Sequence, residues 1–509
     1  MRVALAAARR SARVRLLVVT AACLAFGLVS GSDQSSAHFI DAGVENSWIR
    51  IQNVGVQAAT AEVAFYNLGG DPVTTDRCPS ADRCASIPPG QGWSFFQEGF
   101  QPLEPGFRGS AFLNIDQPFV AMLAKDIFRG NDFEIGGDTL RLGGAAPSQY
   151  APFVQRTDAE ASRITVQNTS SSQDACFEIT YYAAGSGIAT AVDPPGPTSG
   201  CPNGGQLVRS RASWVRDFEQ LPVPVGFEGA AVIRSKATGS GVRGEAQAPM
   251  ATVDTHRRFG SGLASSRTLG SDELSRVVVL PVADRNGSEG QSTWSTRFRV
   301  VSAEPAAANA VTLLFEGDDG SGGRVEIEHT LSVAGALTCD LRLPNAGGCL
   351  PADRGLPDRF RGSVRMQGIE PIAVIAQRVS DDGRLGDYRG FTAEEASRQV
   401  VLPVVNRNYG PWGGSRGWNS WFRVLTFDGS IAHVRVVYYS KRFPQGLFAE
   451  PVIVDRERTF RQWEEGQLPD GWVGSAVIVS DQPVVVVANL ESDVFSGDGV
   501  MMYNGVSLD

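Results

Sequence analysis

Apolar and polar residues alternate in short runs along this chain, and one such run recurs four times. Asn46-Ser47-Trp48-Ile49-Arg50-Ile51 returns as Ala161-Ser162-Arg163-Ile164-Thr165-Val166, as Ser295-Thr296-Arg297-Phe298-Arg299-Val300 and as Asn419-Ser420-Trp421-Phe422-Arg423-Val424. The fourth and sixth residues of each copy are apolar. A period of two over six residues predicts a strand with one buried face, with Ile49/Ile51, Ile164/Val166, Phe298/Val300 and Phe422/Val424 turned inward. A second alternating strand follows each copy, as in Val63-Ala64-Phe65-Tyr66 and Val434-Arg435-Val436-Val437-Tyr438.

A second phrase comes later in each repeat: Gly106-Phe107-Arg108-Gly109-Ser110-Ala111, Gly226-Phe227-Glu228-Gly229-Ala230-Ala231, Arg359-Phe360-Arg361-Gly362-Ser363-Val364 and Gly471-Trp472-Val473-Gly474-Ser475-Ala476. It is expected to open a β-hairpin whose turn carries proline, at Gln117-Pro118, Glu370-Pro371 or Gln482-Pro483. Gly109, Gly229, Gly362 and Gly474 interrupt a strand pattern, which predicts a positive φ, a bulge or a close backbone approach. The later repeats each begin with an apolar strand holding a proline (Ala151-Pro152-Phe153, Leu280-Pro281-Val282, Leu402-Pro403-Val404), and a proline there predicts an edge strand. Residues 236–275 and 405–418 are polar and glycine-rich and read as loops. Thr392 to Arg398 has room for one helical turn. Seven or so short strands per unit predict an all-β chain of four tandem immunoglobulin-like β-sandwich modules at 38–149, 150–274, 275–397 and 398–509.

The segment ahead of the first module changes the compartment. Arg2, Arg9, Arg10, Arg13 and Arg15 precede the apolar run Leu16 to Val29, and Ser35-Ser36-Ala37 offers a small-residue cut. Residues 1–37 thus read as a signal peptide and the protein as secreted or held at the cell surface. Thr20-Ala21-Ala22-Cys23 is a weak lipoprotein box, and Arg9-Arg10 a weak twin-arginine signal. The whole chain carries a net charge of −9, and losing those five arginines makes the mature protein more acidic. Such a balance excludes the basic footprint of a nucleic-acid binder. No stretch after the signal has the 18 or more apolar residues of a membrane span.

The six other cysteines fall two to a module. In an exported chain, Cys78 and Cys84, Cys176 and Cys201, and Cys339 and Cys349 are expected to form three local disulfides. Zinc would need clustered ligands, and His38, His256, His329 and His433 are scattered.

Taken together, the Leu-Pro strand, Asn-Ser-Trp-x-Arg-Val, the Gly-Ser-Ala phrase, the Gln-Pro turn and Tyr503-Asn504-Gly505 resemble tandem repeats of uncharacterised secreted bacterial surface proteins with immunoglobulin-like folds. The second module departs furthest, lacking both the tryptophan and the Gln-Pro turn. The resemblance implies fold and compartment and transfers no activity.

Candidate chemistry is sparse. Asp318-Asp319-Gly320 and Asp381-Asp382-Gly383 read as turns before calcium sites, since they lack a dedicated loop's ligand spacing. No Gly-x-Ser-x-Gly elbow or phosphate-cradling loop is present, so no catalytic residue, metal or cofactor is expected. Trp412, Trp418 and Trp421 with Tyr409 are the candidate ligand contacts, for a glycan or a surface protein, against the alternative that they pack on a neighbouring module. The resulting expectation is a non-enzymatic surface spacer or adhesin, with an array of carbohydrate-binding modules, or an accessory to a secreted enzyme, as the alternative.

Overall fold

The computed structural model describes residues 44–508, apart from 81–83, 98–99, 101, 105, 130–131, 141–143, 237–246, 259, 290–291, 344, 411–416 and 465–467. The predicted signal peptide and Trp412 lie outside these residues. The described chain is all-β. Its helical turns are two three-residue 3-10 segments, one of them Ala393–Glu395 in the stretch expected to hold a turn.

All four first phrases lie on strands: Val44–Asn53, Glu160–Asn168, Ser292–Ser302 and Trp418–Thr426. Their apolar pairs are buried as the alternation requires, with Ile51, Ile164, Val166, Phe298, Val300, Phe422 and Val424 fully enclosed. The opposite face is covered too. Trp421, Arg163, Arg297, Arg299 and Arg423 are all buried, because that face packs on the preceding repeat and not on solvent. A strand with two covered faces therefore arises from a pattern that predicted one.

The expected hairpin does not form. Arg361–Ser380 and Trp472–Ser492 are single long strands running through Pro371 and Pro483. The first half of each pairs with a proline strand and with Asn309–Asp318 or Ile431–Ser440. The second half leaves those partners and pairs with a first-phrase strand. In the first repeat the same two arms are the separate strands Gly109–Ile115 and Phe119–Arg129, which pair into different sheets. Proline here marks where the strand changes partners without folding back.

The proline strands are not edges. Ser148–Arg156, Ser275–Asp284 and Ser397–Arg407 each lie between a second-phrase strand and a short closing strand, Leu269–Gly270, Phe391–Thr392 or Val506–Ser507. The missing proline N–H is absorbed by a bulge, where the register skips from Ala151 to Val154, from Leu280 to Ala283 and from Leu402 to Val405.

Opposite each bulge stands the phrase-two glycine. None of Gly109, Gly229, Gly362 or Gly474 has a positive φ. A Cβ on each would instead collide with a backbone carbonyl oxygen on the adjacent strand, that of Tyr66, Tyr182, Glu316 or Tyr439. Close approach is thus the reason glycine recurs. Two stretches read as loops also prove to be core: Pro249–Arg257 and Leu263–Arg267 are strands, and Trp418 opens another.

The last full strands of the repeats, Asp132–Leu140, Leu263–Arg267, Leu385–Arg389 and Val500–Asn504, pack in cyclic order, each on the next and the fourth on the first. Hydrogen bonds cross between them: Arg389 N–H donates to Asn504 Oδ1 at 2.9 Å, and Thr139 Oγ1 to the Asn504 carbonyl at 2.8 Å. Leu263 and Leu385 N–H both donate to Asp498 Oδ2, at 3.1 and 2.9 Å. The fourth repeat also touches the first, so the contacts close a ring.

Candidate functional site

Three of the four joints in that ring share one construction. An arginine from the first phrase, fifth in the motif, reaches backward into the preceding repeat's bulge. Arg299 Nη1 donates to the carbonyls of Gly229 (2.6 Å) and Val154 (3.3 Å). Arg423 Nη1 donates to those of Pro281 (3.2 Å) and Gly362 (3.3 Å). Arg50 Nε closes the ring on the Pro403 carbonyl at 3.3 Å. Each guanidinium is steadied by a hydroxyl on the neighbouring strand, Thr338 (2.8 Å), Thr459 (3.0 Å) or Ser94 (3.0 Å). Burial pulls Arg299 down to about 9 and Arg50 to about 10, so both stay charged at neutral pH. Tyrosines hold the bulge from its own repeat: Tyr388 Oη donates to the Val282 carbonyl at 2.5 Å, and Tyr503 Oη to that of Val404.

These joints are also greasy. Trp421, Leu425 and Met502 join the core of the third repeat; Met122 and Phe133 join that of the fourth; Phe153 and Tyr182 share a cluster with Val301 and Ile375.

The joint between the first and second repeats lacks this arginine construction. Thr165 occupies the arginine position and Val215 the hydroxyl position paired with it. No buried apolar cluster among the described residues spans this joint. In its place is a cavity of about 500 Å³, whose walls include Phe107, Ala111, Leu113 and Leu123 on one side and Thr165, Val215 and Met250 on the other. Ion pairs cross at its polar end: Lys125 Nζ to Asp254 at 2.7 Å, Arg163 Nη1 to Glu45 at 2.7 Å, and Arg108 to Asp217 at 3.4 Å. Burial pushes the Asp254 carboxyl up, but the Lys125 ammonium and Arg163 guanidinium outweigh it and hold the group at about 2.

Of the expected ligand contacts among the described residues, Tyr409 and Trp418 lie side by side and Trp421 is buried. Trp421 is buried at the joint with the third repeat, with the Arg378 guanidinium 5.1 Å from its ring, which leaves no face for a sugar. Trp418 is half-buried, its ring 5.8 Å from Phe133. Tyr409 is 39% exposed and bridges to Trp418 through the backbone. The cysteines stand as expected, with Cys78–Cys84, Cys176–Cys201 and Cys339–Cys349 joined.

Asp319 accepts hydrogen bonds from Ser321 and Gly323 of its own turn, and Asp382 pairs with Arg384. Among the described residues no group of three or more His, Cys, Asp or Glu could hold a metal ion. His433 lies within a strand and meets Asp481 at 2.8 Å on the surface. The joint arginines were visible in the sequence as a charge recurring at one outward position, accompanied by a hydroxyl on a later strand. What hid them is that an arginine on an alternating strand ordinarily signals solvent. No helix among the described residues is long and apolar enough to cross a membrane.

No family model matches the chain, and no curated protein matches it significantly.

Proposed function

We propose that residues 44–508 are four copies of one two-sheet, immunoglobulin-like unit closed into a ring, and that the exported protein works by association and not by catalysis. The observation that carries this reading is the arginine joint, made in the same way by three copies and closing the fourth on the first. Copies locked face to face form a rigid platform, which suits the adhesin side of a surface role better than a spacer that must hold a distance. The basic, apolar leader and the three disulfides support an extracytoplasmic location, in keeping with the resemblance to secreted surface repeats. The test is attachment: deleting the gene should weaken adhesion of the producing cells, and added purified protein should restore it. Unchanged adhesion would overturn the reading. The exposed Tyr409 beside Trp418 is what favours the carbohydrate-binding alternative; a saturable change in tryptophan fluorescence on adding polysaccharide would select it.

A further inference from the structure

A guanidinium withdrawn from water calls for an anion, and two of the three joint arginines have one. Arg299 Nη2 lies 3.4 Å from Glu228, in the second phrase of the preceding repeat, and Arg423 Nη1 lies 3.8 Å from Glu457, on the strand beside it. Arg50, which closes the ring, has neither. Among the described residues its guanidinium makes two hydrogen bonds, from Nε to the Pro403 carbonyl and from Nη1 to the Ser94 hydroxyl, and Nη2 has no acceptor.

Both sister carboxylates are lost here by substitution. In the fourth repeat's second phrase, Val473 stands where Glu228 stands in the second repeat. On the strand beside Arg50, Gly92 takes the place of Glu457, since Gln52 faces Gly92 as Leu425 faces Glu457. Gly92, Val473 and Arg50 together line a pocket of about 240 Å³ at this joint. Exposed Lys441 and Arg442 line it too, and neither has an ion-pair partner among the described residues. Asp470 is the one carboxylate among the described residues of its walls. It is engaged elsewhere, 3.4 Å from Arg407 Nε and accepting from Asn408 Nδ2 at 2.9 Å. On a chain of net charge −9, a cationic pocket thus opens where the other two arginine joints supply a carboxylate of their own.

We propose that this pocket binds the carboxylate of a uronic acid, held by Arg50, Lys441 and Arg442 in place of the carboxylates that Glu228 and Glu457 supply at the sister joints. The cations select the anion, and the remaining walls select the body that carries it. Tyr439 and Phe443 contribute half-buried rings. Ser440 Oγ and Trp472 Nε1 are buried polar atoms without a hydrogen-bond partner among the described residues. A small ring with apolar C–H faces and hydroxyl groups satisfies both, and such a ring bearing a carboxylate is a uronic acid. The 240 Å³ volume holds one such ring, whereas pockets for larger ligands begin at about 300 Å³. The site goes beyond the attachment reading and does not depend on it, because its test is made on the purified protein without cells.

The test is calorimetric titration of the purified, exported full chain with galacturonate, with polygalacturonate and, as the uncharged control, with galactose. Galacturonate is expected to bind about tenfold or more tightly than galactose, and to weaken as salt is raised. Val473→Glu, at a position 39% exposed, returns the sister carboxylate to Arg50 and should weaken galacturonate binding about tenfold. Lys441→Ala/Arg442→Ala removes two surface cations and should weaken it about threefold, which gives an independent reading if Val473→Glu disturbs the joint. Polymer binding as sensitive to Val473→Glu as monomer binding identifies residues within a polysaccharide as the source of the carboxylate; binding of the monomer alone identifies the free acid. Galacturonate held no better than galactose, or held equally well by both variants, overturns the proposal.

Discussion

The joint between the second and third repeats and the joint between the first and second bring together the same two faces, a phrase-one strand and a phrase-two strand of the neighbouring copy. At the former, Arg299 is fully buried, donates to two carbonyls and sits 4.4 Å from the Phe153 ring, with apolar side chains filling the remaining space. At the latter, Thr165 and Val215 line a cavity, and ion pairs, the Ser110 hydroxyl on the Arg211 carbonyl and the Arg211 guanidinium over the Tyr66 ring span the joint around it. Two substitutions at cross-strand partners thus accompany the change of a sealed joint into an open one. The arginine and its hydroxyl behave as a pair: a buried guanidinium without that oxygen would leave a donor unmet, and a lone hydroxyl would gain nothing.

The comparison can be broken most forcefully at the bulges. Gly474→Val places a side chain against the Tyr439 carbonyl, which cannot retreat without tearing the sheet. A loss on the order of 3 kcal/mol or more is expected by chemical denaturation, whereas a neutral substitution would mean that close approach is not why glycine stands there. Next comes the key itself. Arg423→Ala leaves the Pro281 and Gly362 carbonyls without their donor in a dry joint and should cost about 3 kcal/mol; a change within error would make the arginine incidental.

At the open joint the electrostatics set a pH dependence. The Asp254 carboxyl is held at about 2, against an ordinary 3.8. A depressed acid contributes stability that is complete above its unfolded value and is lost as pH falls through its folded value. About 2 kcal/mol should therefore disappear between roughly pH 4 and 2. Asp254→Asn should be less stable at neutral pH and flatter across that interval; an identical acid profile in the variant would assign the loss elsewhere. The smallest effect belongs to Thr165→Ala, which removes no donor from a carbonyl and opens no sealed core. Its stability should stay within about 0.5 kcal/mol of the parent, and a large loss would erase the contrast between the joints.

Much of this was legible from local pattern and little from global arrangement. Alternation placed Phe298 and Val300, or Phe422 and Val424, in a core before any coordinates, because period two is a property of the strand alone. Cysteine spacing within repeats located all three disulfides. The glycine of the second phrase was recognisable as a backbone requirement, although its cause was a neighbouring carbonyl and not φ. What sequence could not show is which surfaces meet copies from elsewhere in the chain. Arg50 and Pro403 lie 353 residues apart, and no local pattern distinguishes an outward arginine in water from one inserted into the next repeat. The same blindness made edges of the proline strands, since a missing N–H says only that one ladder bond is absent and not that a bulge has absorbed it. It also made turns of Pro371 and Pro483, where one continuous strand exchanges its partners.

The central claim is that the repeats are locked into one closed body, and calorimetry of the intact chain tests it most directly. A ring keyed by Arg50, Arg299 and Arg423 should unfold in a single transition whose calorimetric and van't Hoff enthalpies agree, and Arg423→Ala should split or broaden it. Four independent transitions in the parent protein, each unmoved by Arg423→Ala, would describe beads on a string and contradict the account.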